Sequence, residues 1–121
     1  MQFAQKNFYK KLLGRVGEDK AADFLKKQGF KVTERNYKNA FGEIDIIAKD
    51  GEYTVFIEVK TRTGDAFGAP SEAVDARKRQ KYAKVAKAYL AYKGLLDCAC
   101  RFDVIEIEDG KINHIKDAFS L

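Results

Sequence analysis

Two apolar, β-branched runs meet at Asp50-Gly51, and that junction constrains the fold more than any other stretch of the chain. Asp-Gly between such runs is a strong short-range hairpin signal, because a two-residue turn needs backbone angles that glycine adopts freely. The spacing predicts strands over Glu43 to Lys49 and Tyr53 to Thr61. A turn centred on Asp50-Gly51 sets Ile46 opposite Val55, Asp45 opposite Phe56 and Glu43 opposite Glu58. Side chains alternate along each strand, so Glu43, Asp45, Phe56, Glu58 and Lys60 share one face. Ile44, Ile46, Val55, Ile57 and Val59 share the other.

Charges inside such strands are costly to bury and need a reason. Like charges side by side on one face are destabilising unless a cation sits among them. Two readings fit the residue types. In one, Asp45 and Glu58 hold a divalent ion; Mg²⁺ selects carboxylate oxygen, and two carboxylates suffice when water and a phosphate complete its shell. In the other, the face is solvated and neutralised by Lys60 and neighbouring basic residues.

The 121 residues suit one domain, spanning 1–121, with 45% hydrophobic and 34% charged residues. No apolar run approaches the ~18 residues of a membrane span, and Met1 to Lys6 lack the apolar stretch of a signal peptide. The expectation is a cytoplasmic protein without membrane contact. Cys98 and Cys100, the only cysteines, have no second pair for a structural zinc site, and read as small residues at a strand entry. With His114 the lone histidine, chemistry falls to carboxylates, lysines and a bound metal; no small-molecule cofactor is expected. A net charge of +5 is compatible with a polyanionic partner.

Apolar spacing at Val16, Ala21, Ala22, Phe24 and Leu25 predicts a helix from about Leu12 to Gln28, stopped by Gly29. Gly14 and Gly17 weaken its start, so residues 1–13 read as an N-terminal arm or a helix extension. A first strand is expected over Phe30 to Tyr37. After the hairpin, Arg62 to Pro70 reads as a loop. A long helix follows from Ser71, a plain N-cap candidate, to Lys93, burying Tyr82, Val85, Ala86, Tyr89 and Leu90. Strands over Arg101 to Glu108 and Lys111 to Ile115 complete an α/β fold of order α-β-β-β-α-β-β, a mixed sheet flanked by helices.

Asp45 with Glu58-Val59-Lys60 resembles the D…ExK signature of the PD-(D/E)xK, restriction-endonuclease-like nuclease superfamily, whose acids lie on a hairpin between two helices. Gly17-Glu18, Gly42-Glu43-Ile44-Asp45, Val55 to Arg62, Phe67-Gly68 and Arg101-Phe102-Asp103-Val104-Ile105 are similar to blocks of the bacterial YraN-like family within it. The resemblance implies Asp45 and Glu58 as ligands of Mg²⁺ or Mn²⁺, with the Val59 carbonyl a further ligand. Lys60 would hold or deprotonate the attacking water and stabilise charge on the phosphate. Glu18 shares a helix face with Ala21, Ala22 and Leu25, and so turns toward the sheet. It is similar in position to the helix glutamate of archaeal Holliday-junction resolvases; a dipole or capping role is the other reading. The Q-x-x-x-Y pair of the RecB-like branch is absent, since Gln80 is followed four residues later by Lys84.

Arg77, Lys78, Arg79, Lys81, Lys84 and Lys87 fall within eleven residues, with Arg77, Lys81 and Lys84 on one stripe. Together with Arg62 they suit a phosphate backbone, while the bland reading is a solvated helix face. DNA is therefore the expected partner, selected by structure more than by sequence, since no base-reading module is visible. Three functional classes stay open: a metal-dependent nuclease, a non-catalytic nucleic-acid-binding module of the same fold, and a scaffold. By analogy with junction resolvases the chain could pair as a homodimer through Phe3, Phe8, Tyr9, Leu12 and Leu13.

Overall fold

Alternation in the central strands decides the layering. In a computed structural model of the chain, residues 2–62 and 76–120 are described, residues 2–11 by their backbone alone. The elements run α1 (Gln2–Lys27), β1 (Lys31–Asn39), β2 (Gly42–Asp50), β3 (Tyr53–Arg62), α2 (Ala76–Lys93), β4 (Cys100–Glu108) and β5 (Lys111–Phe119). The five strands form one sheet in sequential order. Only β3 and β4 are parallel, joined by the crossover that contains α2; the other neighbours are antiparallel. This is the expected mixed sheet between helices. The expected N-cap at Ser71 and the Phe67-Gly68 and Pro70 loop lie outside the described residues.

Each face of the sheet carries its own core. Ala21, Ala22 and Leu25 of α1 pack on Phe30, Ile46, Ala48, Val55, Ile57, Ile105 and Ile107. Val85, Ala86, Tyr89 and Leu90 of α2 pack on Ile44, Ile47, Phe56, Phe102, Val104 and Phe119. A sheet covered on both sides explains the near-continuous apolar runs of β2 and β4. α1 is one unbroken helix through Gly14 and Gly17, so residues 2–13 extend the helix rather than form a separate arm. Val16, expected in the core, is instead 43% exposed, because the stripe that meets the sheet runs through Gly17, Ala21 and Leu25.

The hairpin register differs from expectation by two residues. Asp50 pairs with Tyr53, Ala48 with Val55 and Ile46 with Ile57. Gly51 holds φ +59 while Glu52 is not among the positive-φ residues, so glycine takes the first central position, as in a type II′ turn, rather than the second. Glu43 therefore does not face Glu58, and Asp45 does not face Phe56. Because the shift is even, Asp45, Glu58 and Lys60 keep their parity. Ile44 breaks the expected alternation and joins the α2 side. The β1–β2 ladder passes from Arg35↔Ile46 to Tyr37↔Ile44 around Asn36, whose φ of +52 turns the chain between them. β5 continues past Ile115 to Phe119, which pairs with Phe102 and stacks on it. A register shift near Asp103 and a φ of +53 at Asp117 interrupt the alternation that would have shown this in the sequence.

A buried ionic group ties β4 to the hairpin and to β5. Asp103, with a fully buried side chain, accepts two hydrogen bonds from Arg101 at 2.9 Å and one from the Asp117 N–H at 3.0 Å. Its Oδ2 lies 2.8 Å from His114 Nε2. Arg101 also reaches Asp50 at the turn, 3.0 Å away. Burial works to raise the Asp103 pKa, but the bonds from His114, Arg101 and Asp117 outweigh it and hold the carboxyl below its ordinary value. Asp103→Ala would leave Arg101 and His114 buried without their acid and should cost about 3–5 kcal/mol in urea unfolding at pH 7. A lowered acid stabilises the fold above the ordinary aspartate pKa of 3.8 and loses that effect as pH falls through its lower folded value. The penalty of the substitution should therefore shrink in strong acid; a penalty under about 1 kcal/mol at neutral pH would contradict this role.

Candidate active site

β2 and β3 part where the acids begin. The ladder ends at Ile46↔Ile57, and the next residues on the two strands are Asp45 and Glu58, close enough for the charge of Glu58 to act on Asp45. The Asp45 side chain closes the gap: its Oδ2 accepts the Val59 N–H at 2.8 Å, a bond that a strand carbonyl would otherwise supply. Glu58 lies on the α2 side with Phe56, and its Oε1 receives Lys60 Nζ at 3.3 Å. Asp45, Glu58, Val59 and Lys60 are thus brought together, as their spacing suggested, although by a different register.

Glu18 approaches from the other layer. Gly17 is buried against β3, and a Cβ there would overlap the Thr61 hydroxyl. The missing side chain lets α1 lie close to the sheet, and the next residue, Glu18, is half-buried and near enough for its charge to act on Asp45. It also lines an open groove with Gly14, Arg15, Asp19, Arg35 and Lys38. Glu43, by contrast, is exposed, with Lys38 at 3.8 Å, and acts on Glu58 only weakly from a distance.

The acids carry more negative charge than their surroundings offset. Burial and then the charge of Glu58 push the Asp45 pKa up to about 7, with Glu18 adding to the rise; the Val59 N–H and Lys60 oppose it. Burial likewise raises Glu58, against the pull of Lys60 and Lys78. Among the described residues no three His, Cys, Asp or Glu side chains form a ready metal cage. Two neighbouring carboxylates are nonetheless the small protein set that Mg²⁺ accepts alongside water and phosphate, and a dication there would favour the charged forms that burial disfavours.

The basic residues divide. Lys78, in the first turn of α2, is the helix cation that acts on Glu58. Arg77, Lys81 and Lys84 are exposed on the same helix, Lys84 beside a groove with Gln80, Leu90 and Leu96. Arg62 closes β3 two residues after Lys60. Sequence reasoning did not single out Asp103 or Glu106 as buried acids. Their signal was an acid inside an apolar strand, the same signal that marked Asp45.

The uncharacterised protein family UPF0102 matches residues 17–107. A UPF0102 protein of Caldanaerobacter subterraneus subsp. tengcongensis is 46% identical, covering 94% of this chain and 99% of its own length. One from Geotalea daltonii is 50% identical over 92% of this chain and 91% of its own. A third, from Thermodesulfovibrio yellowstonii, is 49% identical over 88% and 95%.

The raised pKa of Asp45 links stability to pH. Between 3.8 and about 7 the folded chain holds a proton that the unfolded chain has lost, so stability falls as pH rises through that window and levels off above it. Asp45→Asn keeps an acceptor for Val59 but removes the charge. Without divalent ions it should be more stable than the parent at pH 8, by roughly 1–3 kcal/mol, with the gap closing toward pH 4. Thermal melts across that range would show it; a gap independent of pH would refute the link.

Proposed function

This chain belongs to the uncharacterised protein family UPF0102, and we propose that it is a metal-dependent nuclease that hydrolyses DNA phosphodiester bonds. The carrying observation is the pairing of two half-buried carboxylates, Asp45 and Glu58, both raised chiefly by burial, with Lys60 held 3.3 Å from Glu58. The order of elements and the D…ExK set together support the PD-(D/E)xK superfamily as its wider home.

Asp45 and Glu58, with the Val59 carbonyl, would hold Mg²⁺ or Mn²⁺. When bound, such an ion supplies a Lewis acid for the phosphoryl oxygen and a bound water of lowered pKa. The Val59 N–H orients the Asp45 carboxylate, so one oxygen is fixed and the other remains for a ligand. Glu18 adds a third negative charge nearby and would orient water at the same centre. Lys60 places an ammonium beside Glu58, where it would hold the attacking water and offset charge growing on the phosphate. Arg62 and Lys78 flank this pair and would seat the neighbouring phosphates, with Arg77, Lys81 and Lys84 extending the basic surface along α2. These contacts are to backbone, which favours selection by DNA shape over base sequence.

Purified protein should cut linear, flapped or four-way DNA with Mg²⁺ or Mn²⁺ and not in EDTA. Asp45→Asn and Lys60→Ala should each lower the cleavage rate at least a hundredfold while leaving the fold and salt-dependent DNA binding in place. Cutting that survives both changes would come from elsewhere and refute the assignment. Salt-dependent binding without cutting under any metal would instead support the non-catalytic module, and neither binding nor Mn²⁺ uptake would leave a scaffold.

A further inference from the structure

An open groove of about 540 Å³ lies between α2 and the chain that returns from it to β4. The β3–β4 ladder sets Cys100 beside Thr54 and Phe102 beside Phe56, so the groove lies toward the hairpin turn and away from Glu58 and Lys60. Leu90 and Phe102 line its depth and Leu96 one wall. Leu96 is 56% exposed, yet its place is held by the backbone around it. The Leu95 N–H donates to the Leu90 carbonyl at 2.7 Å, and the Cys98 N–H donates to the Leu95 carbonyl at 3.0 Å. A concave apolar surface kept open to water in this way is a usual place for a ligand to bury its own apolar group. The other wall is basic. Lys84 and Lys87 lie one turn apart on α2, line the groove and are exposed. Neither has an ion-pair partner among the described residues. No acid is among the described residues that line the groove; Asp97 follows Leu96 in the chain without lining it.

We propose that this groove docks an acidic peptide segment of a partner protein. A bulky apolar side chain of the peptide seats against Leu90, Leu96 and Phe102, and its carboxylates meet Lys84 and Lys87. Charge and apolar surface are separated along the groove, with the lysines nearer the start of α2 and the leucines at its end. From Lys84 to Leu90 the helix rises about 9 Å, a span that an extended peptide covers in roughly three residues. Charge complementarity selects the acid, and the apolar end selects a peptide over DNA. A sugar-phosphate backbone gains nothing from Leu90 and Leu96, and Phe102, only 4% exposed, lies too deep for a base to stack on it. The proposal stands apart from the nuclease reading; Lys84, also part of the basic surface of α2, lies where the two surfaces meet.

The test sets the full chain against a panel of fluorescein-labelled peptides, each with a pair of aspartates at a different distance from one leucine or phenylalanine. Fluorescence polarisation should find the tightest binding where acids and anchor are about three residues apart. Replacing the anchor by serine, or the aspartates by asparagine, should weaken it at least about fivefold. In the chain, Leu96→Ser and Lys87→Gln should each weaken the best peptide roughly three- to tenfold. Both side chains are exposed, so thermal melts should stay close to those of the parent. Cys100 lines the groove and is exposed, and in a Cys98→Ser background the bound peptide should slow its alkylation. A panel without a binding member, binding that the acids alone sustain, or binding untouched by Leu96→Ser would overturn the proposal. An alkylation rate that the peptide leaves unchanged would do the same. A DNA duplex that protects Cys100 as well as the peptide does would assign the groove to nucleic acid and also overturn it.

Discussion

The hydrogen bond from the Val59 N–H to the Asp45 carboxylate is the contact on which the site and the sheet both depend. Two antiparallel strands that simply stopped pairing would leave backbone donors bare in a half-buried edge, which is costly. Here a side chain takes the place of the missing carbonyl. The same bond fixes the Asp45 rotamer beside Glu58, so the device that ends the β2–β3 ladder also builds the acidic pair. Its consequence is electrostatic: holding Asp45 at that depth, facing a second acid, raises its pKa to about 7.

Two buried acids in this fold have opposite fates, and the contrast separates scaffold from site. Asp103 lies deeper than Asp45, yet His114, Arg101 and the Asp117 N–H satisfy it and keep it below its ordinary pKa. It locks β4, β5 and the Asp50 turn together on the α1 side. Asp45, Glu58 and Glu106 are all raised, with burial the leading cause for each. Unsatisfied charge gathered at one end of one sheet face is a cost that a purely structural role would not require. The polar end of β3 and β4 is therefore where the sheet carries electrostatic strain, and the apolar remainder of the sheet is where stability comes from.

Most of the architecture was legible because it rests on local chemistry. Asp50-Gly51 marked its turn, Gly29 ended the first helix, and unbroken Ile, Val and Phe runs marked strands buried on both sides. The N-terminal helix was harder to read, since Gly14 and Gly17 argue locally against it, and Gly17 is there for contact with Thr61 rather than for helix propensity. β5 was cut short in prediction because Lys116 and Asp117 interrupt its pattern where a bulge places Phe119 opposite Phe102. Glu106 gave no sign of its isolation, which depends on neighbours from three strands.

By itself the sequence determined that Asp45, Glu58 and Lys60 share one hairpin, because side-chain parity has a period of two and survives a two-residue error in register. It also determined the two-layered burial, through hydrophobic runs that no solvent-facing strand would carry. Tertiary structure decided the register itself, with glycine in the first turn position. It decided that Glu58 comes close enough to act on Asp45, that α1 brings Glu18 near enough to do the same, and that Asp103 is satisfied while Glu106 Oε2 is not. Those outcomes depend on which strand lies beside which, and pairing between residues far apart in the chain leaves no periodic trace in the sequence.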